Sequence, residues 1–234
     1  MGALRVLWDA VRLVGGRPGP AILNNVVAVA LSLPLLFVLS AFARATSLSI
    51  LPLGAAGLLG ILSCPTMTGL QVAVREWGKG EYLPLRAQWD AIRRSWRATL
   101  PAWLIGVLVG GILLVNAGFY SRLGATSLGP FAGAISVIWL CGFVFWLAIH
   151  LYIFPLLLRQ DGLRVRDAYR NAAVISLGRP FYTLVLTFVW IAWLIVASTT
   201  GLAYVFGFAL AVAIQEQAVS HILPTFDRET PVAG

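Results

Sequence analysis

Two side chains with acid–base or ligating chemistry, His150 and Glu216, fall inside apolar runs of this sequence. Ionisable groups are costly in hydrocarbon, and where they occur there they mark ion or proton pathways. A His150–Glu216 pair could bind a cation or relay protons, and together with Asn24 and Asn116 it could line a polar path for a small solute or ion. The same residues also read as interhelical hydrogen bonds that fix a helix bundle, and Asn25, Gln71, Gln215 and Gln217 belong with them in that reading.

Motifs for bond-making chemistry do not stand beside them. Neither histidine belongs to a His-Glu-x-x-His or related metal pattern, and no serine sits in a nucleophile motif. Gly54, Gly57 and Gly60 have the spacing of small residues that let helices approach closely, not that of a phosphate loop. Cys64 and Cys141 each lie in an apolar run without metal-type spacing and read as small core residues. No catalytic, cofactor or metal site is expected.

The elements that carry these residues follow from composition. The chain has 234 residues, 59% of them hydrophobic and 11% charged, with a mean hydropathy of +0.87. Such values lie outside the range of ordinary water-soluble domains and indicate an all-α integral membrane protein, read as a single membrane domain over 1–234. The net charge of +8 could suggest nucleic acid. The basic residues adjoin the apolar runs, however, so anionic lipid headgroups are the expected counterions and no nucleic acid is.

Six runs approach the roughly 20 residues that a spanning helix needs: 21–43, 50–74, 102–120, 130–158, 181–197 and 202–223. The segment before the first run is amphipathic and lacks a small-residue cleavage site, so that run reads as a retained span, not a signal peptide. Pro34, Pro65, Pro155 and Pro224 fall inside or at the ends of runs. Fifteen of the seventeen lysines and arginines fall on one side of this arrangement, with Arg44 and Arg122 on the other. The positive-inside rule then places both termini in the cytoplasm of a protein of the cell membrane.

Three amphipathic stretches precede alternate spans, and 85–101 (LRAQWDAIRRSWRATLP) is the clearest. Leu85, Trp89, Ile92 and Trp96 recur at helical spacing while Arg86, Arg93, Arg94 and Arg97 occupy the other faces. Its Asp90-Ala91-Ile92-Arg93 is echoed by Asp9-Ala10-Val11-Arg12 within 4–14 and by Asp167-Ala168-Tyr169-Arg170 within 163–176, where Arg164, Arg166 and Arg170 supply the charge. An Asp and an Arg three apart on a helix commonly form a solvated ion pair. The recurrence gives three helical hairpins, each entered by a cytoplasmic elbow helix lying flat, in a pseudo-threefold repeat of about 3–74, 84–158 and 162–226. Trp8, Trp89, Trp96 and Tyr169 suit the membrane interface. The elbows read either as anchors that fix depth and tilt or as a surface on which a membrane partner docks; oligomeric state is open.

Cys64-Pro65-Thr66, Arg75-Glu76, the stretch from Trp89 to Trp96 and Asn116 before Phe119-Tyr120 together resemble the YesL-like family of small bacterial membrane proteins. Phe154-Pro155-Leu156, the segment from Asp167 to Ala173 and Arg179-Pro180 resemble its second half. That resemblance implies a non-enzymatic accessory role beside a carbohydrate ABC transporter, without assigned catalytic residues. The alternative from the residues themselves is a small-solute or ion transporter or channel with a polar path between the hairpins.

Overall fold

The computed structural model describes residues 2–30, 50–124, 129–160, 162–200 and 206–229, and these residues form helices and turns with no strand. In chain order the helices are α1 (Gly2–Gly15), α2 (Pro18–Ala30), α3 (Ile50–Gly78), α4 (Leu85–Gly124), α5 (Gly129–Arg159), α6 (Val165–Gly178), α7 (Pro180–Thr200) and α8 (Gly207–Glu229). Pro34 and Arg44 lie outside the described residues, as does the rest of the expected first span beyond residue 30. The expected sixth span is described from 206, and its helix runs on to Glu229, past the end anticipated at Pro224.

Among the described residues three helical segments are long and apolar enough to cross a bilayer: Leu85–Gly124, Gly129–Arg159 and Pro180–Ala197. Only 17%, 17% and 22% of their most apolar windows are buried inside the protein. Leu108, Val137, Ile138, Phe181 and Phe188 are each more than half exposed. A contiguous apolar belt of this kind marks a surface made for an apolar surrounding.

α5 is the centre of the packing. From Ala148 to Leu157 its side chains are buried almost without interruption, where a helix with one neighbour would bury a single stripe. Tyr152, Ile153 and Leu156 meet Val6 of α1, Ala102 of α4, Ala168 and Ala172 of α6, Leu186 of α7 and Val219 of α8 in one core cluster. A second cluster joins Ala10 and Val14 of α1, Ala21 and Ala28 of α2, Leu70 and Trp77 of α3, and Ala209 and Val212 of α8. α8 thus divides its faces between the two.

Polar contacts gather the same ends of these helices. Arg75 near the end of α3 donates to the Leu158 carbonyl of α5 at 2.6 Å, and Arg159 donates to Ser220 of α8 at 2.6 Å. His221 meets Asp9 of α1 at 3.0 Å. Arg17 reaches the carbonyls of Gly80 and Glu81 between α3 and α4. α1, the start of α4, α6 and the C-terminal ends of α3, α5 and α8 therefore share one end of the molecule, where most of the arginines lie. The Asp9 contact also replaces an expected pair: its carboxylate goes to His221, and no Asp–Arg ion pair forms at Asp90–Arg93 or Asp167–Arg170 among the described residues.

The expected flat elbow at 85–100 is not a separate helix. It is continuous with the following apolar run in the 40-residue α4, with Pro101 inside. Proline removes the donor that the Arg97 carbonyl would use, and the Ser95 and Thr99 hydroxyls bond back to Ala91 and Ser95 of their own helix. That combination bends helices without ending them. At 1.5 Å per residue α4 is about 60 Å long, twice the roughly 30 Å of a hydrocarbon core, so its charged first turns have to lie outside one. The other two amphipathic stretches, α1 and α6, are separate helices. They bury small residues four apart, Val6, Ala10 and Val14 in α1 and Ala168 and Ala172 in α6. Turns with left-handed glycines precede α4 and α6, Gly80 at φ 90° and Gly162 at φ 81°.

Gly69 of α3 is where the first part of α4 docks: a Cβ there would lie 2.9 Å from Cδ1 of Ile92. Gly69→Leu is expected to push the 85–100 segment off α3 while leaving α5 packed. Hydrogen exchange should then rise at 88–97 and stay low at 148–157; equal protection in both would show that this contact does not hold the segment.

Candidate functional site

The most polar buried cluster joins α3, α5 and α8. Glu216 is 3% exposed; its Oε2 lies 2.7 Å from Nη2 of Arg159, and its Oε1 accepts from the Gln71 amide at 3.1 Å. The same Arg159 nitrogen also donates to the Glu216 carbonyl oxygen at 3.1 Å. A carboxylate held in this way is a tie between helices: its charge is matched, and it is not free to take up a cation.

His150 belongs to a different cluster, one helical turn from Trp146. A carbonyl only accepts, so Nδ1 donates to the Trp146 carbonyl at 3.0 Å, which leaves the lone pair of the neutral ring on Nε2. The Tyr169 hydroxyl of α6 lies 3.3 Å from that nitrogen and donates to the Ala102 carbonyl of α4 at 2.9 Å. The Tyr169 ring stacks on Trp146, with centroids 5.4 Å apart and planes 13° from parallel, and burial raises its phenol above the ordinary tyrosine range. Trp146 in turn donates to the Gly106 carbonyl at 3.1 Å. A Cβ on Gly106 would stand 2.5 Å from Nε2 of His150, so only glycine lets α4 approach this ring.

Beside these clusters, residues of α3, α4, α5, α7 and α8 line a cavity of about 320 Å³. Gln71, Trp103, His150 and Gln215 lie on its wall nearer the arginine-rich end; Gly110, Phe143, Leu194 and Phe208 lie further in. Among the described residues no charged side chain lines it. Gln215 is 8% exposed, and its amide makes no hydrogen bond among the described residues.

The four residues expected to share a polar path are thus divided. Asn24 is buried and donates to Pro20 of its own helix, Asn116 donates to Ile112 of its own helix on an exposed face, His150 joins the aromatic cluster, and Glu216 is tied to Arg159. Asn25 instead links helices: its Oδ1 accepts from the backbone N–H groups of Phe208 and Ala209, at 2.8 and 3.0 Å, in the first turn of α8. Trp8 and Trp89 are exposed beneath Arg12 and Arg93, whose guanidinium carbons lie 6.0 and 5.3 Å from the ring centroids. Trp96 is half-buried. Tyr169 departs from its expected interfacial role because its hydroxyl turns inward to Ala102. Cys64 is buried, whereas Cys141 is exposed on the apolar face of α5 and is not a core residue. Arg159 stands at the end of an apolar run, and its partner lies 57 residues away on another helix. Among the described residues no three His, Cys, Asp or Glu side chains come close enough to share a metal ion.

No known protein family, curated protein or solved structure matches the chain.

Replacing Glu216 by leucine leaves Arg159 partly buried without its counter-charge, and thermal unfolding in detergent should show a loss of about 3 kcal/mol. The double variant Glu216→Leu/Arg159→Met should recover most of it; additive losses would show that the two charges are not coupled. Gly106→Ala should displace His150 at a cost of about 1–3 kcal/mol and alter the near-ultraviolet signal of Trp146. Gly110→Ala, whose Cβ would meet its neighbours no closer than 3.6 Å, should leave both unchanged.

Proposed function

We propose that the chain is a non-enzymatic protein of the cell membrane whose arginine-rich end lies at the cytoplasmic leaflet and engages anionic phospholipid headgroups and a membrane-embedded partner. One observation carries this reading. Arg86, Arg93, Arg94 and Arg97 on α4, and Arg164, Arg166 and Arg170 at α6, are all exposed, and none is paired with a carboxylate among the described residues. Near an anionic surface each such residue contributes about 1 kcal/mol. A face of this kind, on the two helices that flank the α5 core, suits a flat, negatively charged surface better than a small solute.

The topology proposed with it has six spans in three hairpins, both termini cytoplasmic, and a pseudo-threefold repeat over about 3–74, 84–158 and 162–226. Its support is the charge asymmetry of the sequence and the shared end on which α1, the start of α4 and α6 lie. The first two units also carry the same Trp-Asp-Ala-x-Arg segment, with the arginine over the tryptophan in each. From the resemblance to YesL-like proteins, the partner proposed is the membrane portion of a carbohydrate ABC transporter, with this chain as its accessory component. The reading as a transporter with its own polar path has less support, because Asn24 and Asn116 bond within their own helices and Glu216 is neutralised.

The triple reversal Arg93→Glu/Arg94→Glu/Arg97→Glu is expected to abolish recovery of a membrane partner from native membranes and to lower the anionic lipid retained on purification. Unchanged recovery and unchanged lipid would overturn the proposal, as would substrate flux through liposomes that contain this chain alone.

A further inference from the structure

The cavity between α3, α4, α5, α7 and α8 has a direction. α4 and α7 run away from the arginine-rich end and α3, α5 and α8 run towards it, so positions along the helices give depth. Gln71, Trp103, His150 and Gln215 are all at the near level, and Trp103 and Trp190 each bring to the wall an indole N–H without a partner among the described residues. Gln71 bonds Glu216, the partner of Arg159, and Gln215 is the residue before Glu216. The further level, with Gly110, Phe143, Leu194 and Phe208, is wholly apolar. The space is therefore amphipathic along its length, with its polar end towards the arginines.

The polar end also has a free partner to offer. Gln215 is more than nine-tenths buried, lines the cavity and has no hydrogen-bond partner among the described residues. Its amide opens onto the cavity space, where an occupant can reach it, and the indole N–H groups of Trp103 and Trp190 on the same wall are buried with no partner among the described residues, a costly state for a donor. An occupant that satisfies the Gln215 amide carries a hydrogen-bond acceptor or donor at one end and hydrocarbon behind. Free fatty acid fits poorly, because its carboxylate would find no unpaired cation on the wall. A neutral ester at the head of an acyl chain fits, and the outward wall residue Val107 is 42% exposed, which puts the cavity beside the apolar belt.

We propose that this cavity holds the headward half of one acyl chain of a membrane phospholipid, with its ester oxygen at the Gln215 amide and its middle carbons between Phe143 and Phe208, about 10 Å further along the helices at 1.5 Å per residue. The chain enters in the same sense as the lipids of the leaflet at the arginine-rich end, head outward and tail inward. The inference goes beyond the docking of that end to a partner and stands on a different observation.

The test uses the full chain in nanodiscs containing a phospholipid with a diazirine at the middle carbons of one acyl chain. After irradiation, mass spectrometry should place adducts on Phe143 and Phe208 as well as on the outward-facing Leu108 and Val137. Gly110→Leu and Ala211→Phe fill the cavity from α4 and from α8, and each should remove the Phe143 and Phe208 adducts while the Leu108 and Val137 adducts persist, which shows that the fold is intact. Gln215→Leu makes the cavity more apolar yet should reduce the inner adducts relative to the outer ones. Adducts on outward residues alone, inner adducts that survive both filling variants, or inner labelling unchanged in Gln215→Leu would overturn the proposal. Loss of the partner in the arginine reversal leaves this result untouched, so the two proposals fail separately.

Discussion

The architecture depends on one helix being enclosed by protein at its inner half. Over its last three turns α5 has a neighbour on every face, so α1, α6, the proline region of α4 and the ends of α7 and α8 are all placed by contact with it. Complete enclosure demands small residues from whatever approaches, and alanines supply them: Ala102, Ala168, Ala172 and Ala218 are all fully buried. The remaining half of α5 has neighbours on fewer faces and presents Val137, Ile138 and Leu140 outward. A single helix thus changes from a core element to an apolar surface element along its length, and the polar clusters lie near the changeover.

That change is what the sequence cannot express. An apolar run reads the same whether the apolar surrounding is lipid or protein, so the run at 130–158 gave its helix but not its enclosure. Amphipathic stretches are more legible because their polar faces break the run, and α1 and α6 stand close to where periodicity put them. Pro101 does not mark where the amphipathic stretch ends and the apolar run begins. Proline is as acceptable in a first helical turn as it is tolerable within a long helix whose hydroxyls compensate, and nothing nearby distinguishes the two cases. Tyr169 departs from its expected place for a geometric reason: an amphipathic ring suits an interface, but its hydroxyl has a carbonyl within reach on the inner side.

Three of the buried polar groups follow a rule whose content lies in the pairing. Glu216 with Arg159, Tyr152 with Thr183 at 2.9 Å, and Asn25 with the start of α8 each bring a donor to an acceptor from another helix. Sequence reasoning picked out Asn25, Gln71 and Glu216 as groups that needed partners, because the cost of leaving them bare is a property of the residue. Which partner each would find is a property of the fold: Arg159 closes an apolar run, and nothing near it in the sequence points to Glu216.

Asn25 has one further consequence. Its side chain covers the opening N–H groups of α8, the last helix of the chain, from α2, the second; Asp9 on the first helix likewise meets His221 on the last. Contacts 183 to 212 positions apart thus tie the first two helices directly to α8. A change confined to either end of the described chain, such as the loss of the Asn25 amide or of the Asp9 carboxylate, would be felt at the other, because the partner left behind stands on the opposite end of the sequence.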